Sequence, residues 1–328
     1  MYALGVESTA HTFAGSIAAD DGRVLSDVRE VYRTKAGGIH PRNASRHHYD
    51  KAPSVIMRTI QESGMGGSEI DVVAFSRGPG LGPCLRVGAT TARALSLSLN
   101  KPLVGVNHAV AHLEFARKAS GAEDPVFLYV SGGNTQVISE VTGRYVVFGE
   151  TEDIALGNLL DSFARSAGMG FPGGPAIMEL AKGGRKMVRL PYSVKGMNVS
   201  FSGTLTTLES LLHEEPVEDL AYSVQETCFS MLLEASERAM AYLGKGEFVI
   251  AGGVGANERL RQMASVMCEE RGARFLDYSV EFYADNAVMI AWTGLCSFRT
   301  GERLSVEDSQ AMVRWRADEV KLPRRVSA

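Results

Sequence analysis

The 328-residue sequence has only four cysteines, Cys84, Cys228, Cys268 and Cys296, and no two of them form a C-x-x-C pair. That scarcity excludes a disulfide framework and a zinc ribbon and fits a reducing compartment. No apolar run approaches the roughly 18 residues that cross a bilayer, and MYALGVEST enters an alternating strand pattern without the basic and apolar regions of a signal peptide. A cytoplasmic protein with no membrane partner is expected, so the glycosylation sequons at Asn43 and Asn198 read as chance matches. A basic excess is also missing. The formal net charge of −4 does not mark a nucleic-acid binder, although two basic islands, GGIHPRNASRHHYDK and RWRADEVKLPRRV, read equally as solvated segments or as phosphate contacts.

Several catalytic signatures are absent. The pair His108 and His112 lacks the glutamate of H-E-x-x-H, because Ala109 follows the first histidine and Glu114 lies beyond the second. A peptidase therefore loses its general base. AGGVGAN, Ala251 to Asn257, does not complete the G-x-G-x-x-G spacing of a Rossmann fingerprint, because Glu258 stands where its last glycine would fall. SRGPGLGPCLRVG, Ser76 to Gly88, lacks the Gly-Lys-Ser/Thr ending of a P-loop and reads as a rigid loop.

What is present is a repeated plan. YALGVESTAHTFAGSIAADDGRVLSDVREVY reads as strands joined by short turns, with Asp21-Gly22 suited to a tight hairpin. VFLYVSGGNTQVISEVTGRYVVFGET repeats that pattern, which suggests a duplication. Between and after the copies, APSVIMRTIQESG, ATTARALSLSLNK, DLAYSVQETCFSMLLEASERAMAYLG, NERLRQMASVMCEERG and DNAVMIAWTGLCSFRTG show helical periodicity. Strands and helices alternate in each half, so an α/β protein with one sheet per lobe is expected. The boundaries expected are residues 1 to 122 for an N-terminal lobe and 123 to 300 for a C-terminal lobe. A segment about 300 to 320 returns to the first lobe, and residues 317 to 328 form a tail or linker.

His108 and His112 stand at i and i+4, so on a helix both imidazoles face one way. Two ligands do not make a site, and on the residues alone a structural role stays open beside a metal-binding one. SGGNT, Ser131 to Thr135, has bare glycine N–H groups that can close on a phosphate, yet it also makes an ordinary hairpin turn. Two strand-turn-strand clamps followed by a Gly-Gly loop resemble the layout of the actin, Hsp70 and sugar-kinase superfamily. That resemblance implies a two-lobed α/β fold with duplicated lobes and an interlobe nucleotide cleft.

Ten segments in order, LGVESTAHT, GGIHPRNASRHH, GPGLGPCLRVG, NHAVAH, YVSGGNTQ, GNLLDSFAR, PGGPAI, NVSFSGT, GGVGANERLR and YADNAVMIA, span residues 4 to 291. Together they resemble the tRNA adenosine threonylcarbamoyltransferases in the archaeal and eukaryotic form of the KEOPS complex. The resemblance implies a divalent ion, iron or zinc, held by His108, His112, Tyr129 and Asp285, two ligands from each lobe. It implies nucleotide contacts at Tyr129, Val130, Ser131, Gly132, Gly133, Asp161, Gly174 and Asn257. Many relatives read G-G-P-x-I-E, whereas this chain has Met178 at that place and Glu179 one step later, turned by about 100° on a helix.

The implied reaction passes a threonylcarbamoyl group from threonylcarbamoyl-AMP to N6 of the adenosine beside the tRNA anticodon. ATP or AMP can occupy the same site, and the implied partners are tRNA, a small atypical kinase and other KEOPS subunits. Relatives are sometimes fused to that kinase, which makes the C-terminal tail a candidate linker. For proton transfer the first hairpin offers Glu7 and His11; bacterial relatives have aspartate at the place of His11, and imidazole titrates nearer neutrality. Arg42 to Lys51, with His47 and His48, is the candidate contact for tRNA or a partner. A kinase of the same superfamily and a non-catalytic scaffold are the competing readings.

Overall fold

The mostly small and apolar residues of YALGVE and TFAGSIAA form β1 (Tyr2–Glu7) and β2 (Thr12–Ala19), both buried along nearly their whole length. The computed structural model describes residues 1–34 and 38–322. Gly22, at φ 94°, closes the turn into β3 (Val24–Val31). Helix α1 (Pro41–Ser63) opens with proline at its first position and ends on left-handed Gly64. Then come β4 (Val72–Gly78), α2 (Gly82–Leu99), β5 (Leu103–Asn107) and α3 (His108–Ser120). The sheet order is β3-β2-β1-β4-β5, with β1 antiparallel to β2 and parallel to β4. Val6, Phe13, Phe75, Val55 and Ala92 are buried between this sheet and its helices.

Two sequence expectations are corrected here. SRGPGLGPCLRVG is not a loop throughout: β4 runs through Gly78 and α2 begins at Gly82. GGIHPRNASRHHYDK is not a solvated loop either, since from Pro41 onward it is the first three turns of α1. Pro41 supplies the fixed φ of a helix start, a signal that the surrounding basic residues mask.

A second unit starts with β6 (Val126–Val130), β7 (Thr135–Val141) and β8 (Arg144–Glu150), followed by α4 (Leu156–Ser166) and α5 (Gly174–Ala181). A small ribbon pairs β9 (Val194–Lys195) with β10 (Asn198–Val199). Helices α6 (Ser202–Leu211) and α7 (Val217–Leu243) lead to β11 (Glu247–Ala251), α8 (Glu258–Arg271) and β12 (Arg274–Phe275). This sheet reads β12-β11-β6-β7-β8, with β6 antiparallel to β7 and parallel to β11. It is the topology of the first sheet strand for strand, so the duplication read in the sequence holds at the level of the fold. Leu128, Val130, Phe163, Phe229, Leu232 and Ile250 anchor its core.

The chain then returns to the first unit with α9 (Ala287–Arg299). A Cβ on Gly5 of β1 would sit 2.5 Å from the Ala287 carbonyl oxygen, and one on Gly294 would sit 2.3 Å from Ala74 Cβ of β4. Only glycine lets the helix lie this close to the sheet. Beyond α9, the Leu304 N–H donates to the Leu103 carbonyl at 2.8 Å, and Arg77 donates to the carbonyls of Gln310 and Asp308. One compact unit comprises Met1–Tyr32, Ile39–Phe115 and Asp285–Ala328; the other comprises Arg33–Gly38 and Ala116–Ala284. The return therefore starts at Asp285, not near residue 300 as expected. Of the expected tail, Ala317–Glu319 forms a short 3-10 turn and residues 323–328 lie outside the described residues. Among the described residues no helix is long and apolar enough to cross a membrane.

Candidate metal centre and phosphate turn

Strand β5 passes directly into α3 because Asn107 caps the helix, its Oδ1 accepting the Val110 N–H at 3.1 Å. His108 and His112 then lie one above the other on α3, with ring centroids 4.7 Å apart. Asp285 precedes α9, whose N-cap is Asn286, its Oδ1 accepting from Met289 N–H at 3.0 Å. Asp285 Oδ1 lies 3.4 Å from His108 Nε2 and 3.3 Å from His112 Nε2. The donor atoms of these three residues all lie within 4.8 Å of one another.

The electrostatics of this cluster favour a cation. Burial opposes a charged His108, yet the carboxylates of Glu7 and Asp285 raise its pKa well above the usual imidazole range. Burial likewise opposes a charged Asp285, and His108 outweighs it, leaving the carboxyl well below its ordinary range. For His112 burial prevails and lowers the pKa. Two ring nitrogens and a carboxylate oxygen thus converge on one point that calls for positive charge. Two imidazoles and a carboxylate suit zinc or iron and leave coordination positions open, so the residues fit the implied ion.

All three residues lie in the first unit, which corrects the expectation of two ligands from each lobe. The reason is tertiary: α9 returns to β1, carrying Asp285 with it. Tyr129 is buried in β6 of the second unit. Glu7, at the end of β1, is fully buried, and His11 is half-buried in the four-residue turn between β1 and β2.

In the second unit the equivalent turn, Ser131–Asn134, is closed by Ser131 N–H donating to the Asn134 carbonyl at 2.8 Å. Gly132 and Gly133 are exposed, and a Cβ on either would meet nothing within 4 Å. Below the turn, a Cβ on Gly157 would come within 2.5 Å of the Ser131 carbonyl oxygen, so the N-terminus of α4 lies directly against it. Gly252, at φ 89°, presses as closely on the carbonyl of Val130. Bare glycine N–H groups and a helix N-terminus are the two backbone features that attract an anion, and this unit has them side by side.

The other expected nucleotide residues take mixed positions. Asp161 Oδ1 accepts the Gly173 N–H at 2.7 Å and so ties α4 to the start of α5, where Gly174 is open. Asn257 caps α8 through Arg259 and Leu260 N–H, and its amide donates to Gln225 Oε1 at 2.6 Å. Met178 is half-buried, while Glu179 is turned to solvent against Lys182 at 2.6 Å. The basic stretch is partly neutralised: Arg46 pairs with Asp50, Lys51 lies 3.5 Å from Glu30, and His48 is buried. Sequence reasoning missed Thr9, Asn107 and Gln225. Of these only Asn107 carried a local signal, an N-cap residue just ahead of a helical period.

A model of the tRNA N6-adenosine threonylcarbamoyltransferase (TsaD) family matches residues 23–292. The chain belongs to this family. A tRNA N6-adenosine threonylcarbamoyltransferase of Thermococcus kodakarensis is 49% identical, covering 98% of this chain and 99% of that protein. A probable bifunctional tRNA threonylcarbamoyladenosine biosynthesis protein of Thermoplasma volcanium is 52% identical over 98% of this chain, which spans 61% of that relative's length. Among solved structures, Thermococcus kodakarensis HypF matches with a TM-score of 0.65 at 12% identity, over 94% of this chain and 49% of that one. With the duplicated sheets, this puts the family member in the actin, Hsp70 and sugar-kinase fold class.

Proposed function

We propose that the chain transfers the threonylcarbamoyl group of threonylcarbamoyl-AMP to N6 of the adenosine next to the anticodon in tRNA. The observation that carries the reading is the convergence of His108, His112 and Asp285 on one point, in a chain of the threonylcarbamoyltransferase family. These three residues would hold an iron or zinc ion, and for Tyr129 as a further ligand the support is the family resemblance. When bound, such an ion supplies a Lewis acid or a charge anchor for an acyl or phosphate oxygen.

The chain's own groups supply the rest. The Ser131–Asn134 turn and the start of α4 bind the phosphate of the adenylate, lowering the cost of AMP as leaving group. The resemblance supports Val130, Gly174, Met178 and Asn257 as further neighbours of the nucleotide; Asp161 and Asn257 act chiefly by holding α5 and α8 in place. His11, in the first hairpin turn, is the proposed acceptor for the proton leaving the N6 amine. Exposed Arg42 on α1 is a proposed contact for tRNA. The small kinase and other KEOPS subunits are the proposed partners, and the cytoplasm is the proposed compartment.

A superfamily kinase would use the first-hairpin carboxylate in the open cleft; here both Glu7 oxygens are engaged within the protein. The test is transfer of labelled threonylcarbamoyl from its adenylate to tRNA with partner proteins supplied. Wild type transfers and His112→Ala, folded and still binding tRNA, does not. Equal transfer by both would overturn the proposal.

A further inference from the structure

We propose that Glu7 is the positioning residue of the metal centre: it fixes the tautomer and orientation of His108, with Thr9 holding the Glu7 carboxylate in place. This rests on the ion-binding reading above. Glu7 Oε2 lies 3.0 Å from His108 Nδ1. Glu7 Oε1 accepts both the Thr9 backbone N–H and the Thr9 hydroxyl, each at 2.6 Å. The same hydroxyl oxygen is 3.3 Å from His108 Nδ1. Glu7 is 0% exposed, so neither of its oxygens reaches solvent.

A carboxylate only accepts hydrogen bonds, so Nδ1 must carry the hydrogen it shares with Glu7. When a cation displaces the proton from Nε2, the nitrogen aimed at Asp285, the hydrogen held by Glu7 stays on Nδ1 and Nε2 presents its lone pair. This is the carboxylate–histidine arrangement that orients a ligating imidazole and raises its basicity. It also takes Glu7 out of the role of proton acceptor, which leaves His11 as the first-hairpin candidate. The sequence places Glu7 and Thr9 in the β1 turn, and only the parallel run of β1, β4 and β5 brings that turn beside the start of α3.

The experiment titrates the metal-free full chain with Co(II), reading affinity and the visible d–d bands. Wild type should bind one Co(II) per chain. Glu7→Gln should bind roughly ten- to a hundredfold more weakly, with shifted bands, while its far-UV spectrum and melting stay those of a folded protein. If Glu7→Gln does not fold, Thr9→Val decides: weaker binding with shifted bands, restored in Thr9→Ser, supports the proposal. Wild-type affinity and bands in the folded variant overturn it and leave the ion reading standing. No Co(II) binding by wild type, or binding unaffected by Asp285→Ala, overturns the ion reading and this inference with it.

Discussion

The Asn107 side-chain amide donates to the Trp315 carbonyl, 208 residues later in the chain, at 3.0 Å, while the other end of the same side chain caps α3. One residue thus joins the C-terminal segment to the helix that carries His108 and His112. Asn107→Ala removes both bonds. The lost cap costs about 1 kcal/mol and the lost tie a similar amount, so a total near ~2 kcal/mol is expected in urea unfolding. Asn107→Asp keeps the cap, loses the donation, and should show about half that loss.

The contact of α9 with β1 is set by backbone, not by side chains that can rotate away. A Cβ on Gly5 would lie 2.5 Å from the Ala287 carbonyl oxygen and 2.7 Å from the Ala291 nitrogen. Gly5→Val should cost at least about 3 kcal/mol or prevent folding. Thermal melting of the purified variant checks this, and because α9 is preceded by Asp285, any folded fraction should also have weakened Co(II) binding.

His48 gives the protein an acid-sensitive core position. It is buried against Phe13, its Nδ1 is 3.5 Å from His47 Nδ1, and His11 and the Ala10 carbonyl are its other neighbours. Burial, with His47 and His11, lowers its pKa to about 4. The unfolded chain takes up a proton near pH 6.5 that the folded chain refuses until about pH 4. Stability from this group is therefore complete above pH 6.5 and falls as pH drops towards 4, by about 3 kcal/mol in total. Urea midpoints between pH 7 and pH 4 should show this slope in wild type, and a shallower one in His48→Phe.

Local physics made much of the molecule readable in sequence. Alternation and short turns announced both hairpins, and the Gly64, Gly244 and Gly272 stops follow from the left-handed backbone their helices require. The i, i+4 spacing put His108 and His112 on one face before any fold was known. The duplication was legible because both copies use the same strand-turn-strand period.

What the chain alone left undecided depended on residues far apart in sequence. Asp285 reads as the start of a helix in the second half, and only the close passage of Gly5 and Gly294 brings that helix back to the first sheet. Glu7 reads as a candidate acid or base, and only its burial beside His108 turns it into an anchor. Secondary structure is written in neighbours three or four residues apart. The partner of a buried charge is chosen by how sheets and helices pack, and no local pattern encodes that choice.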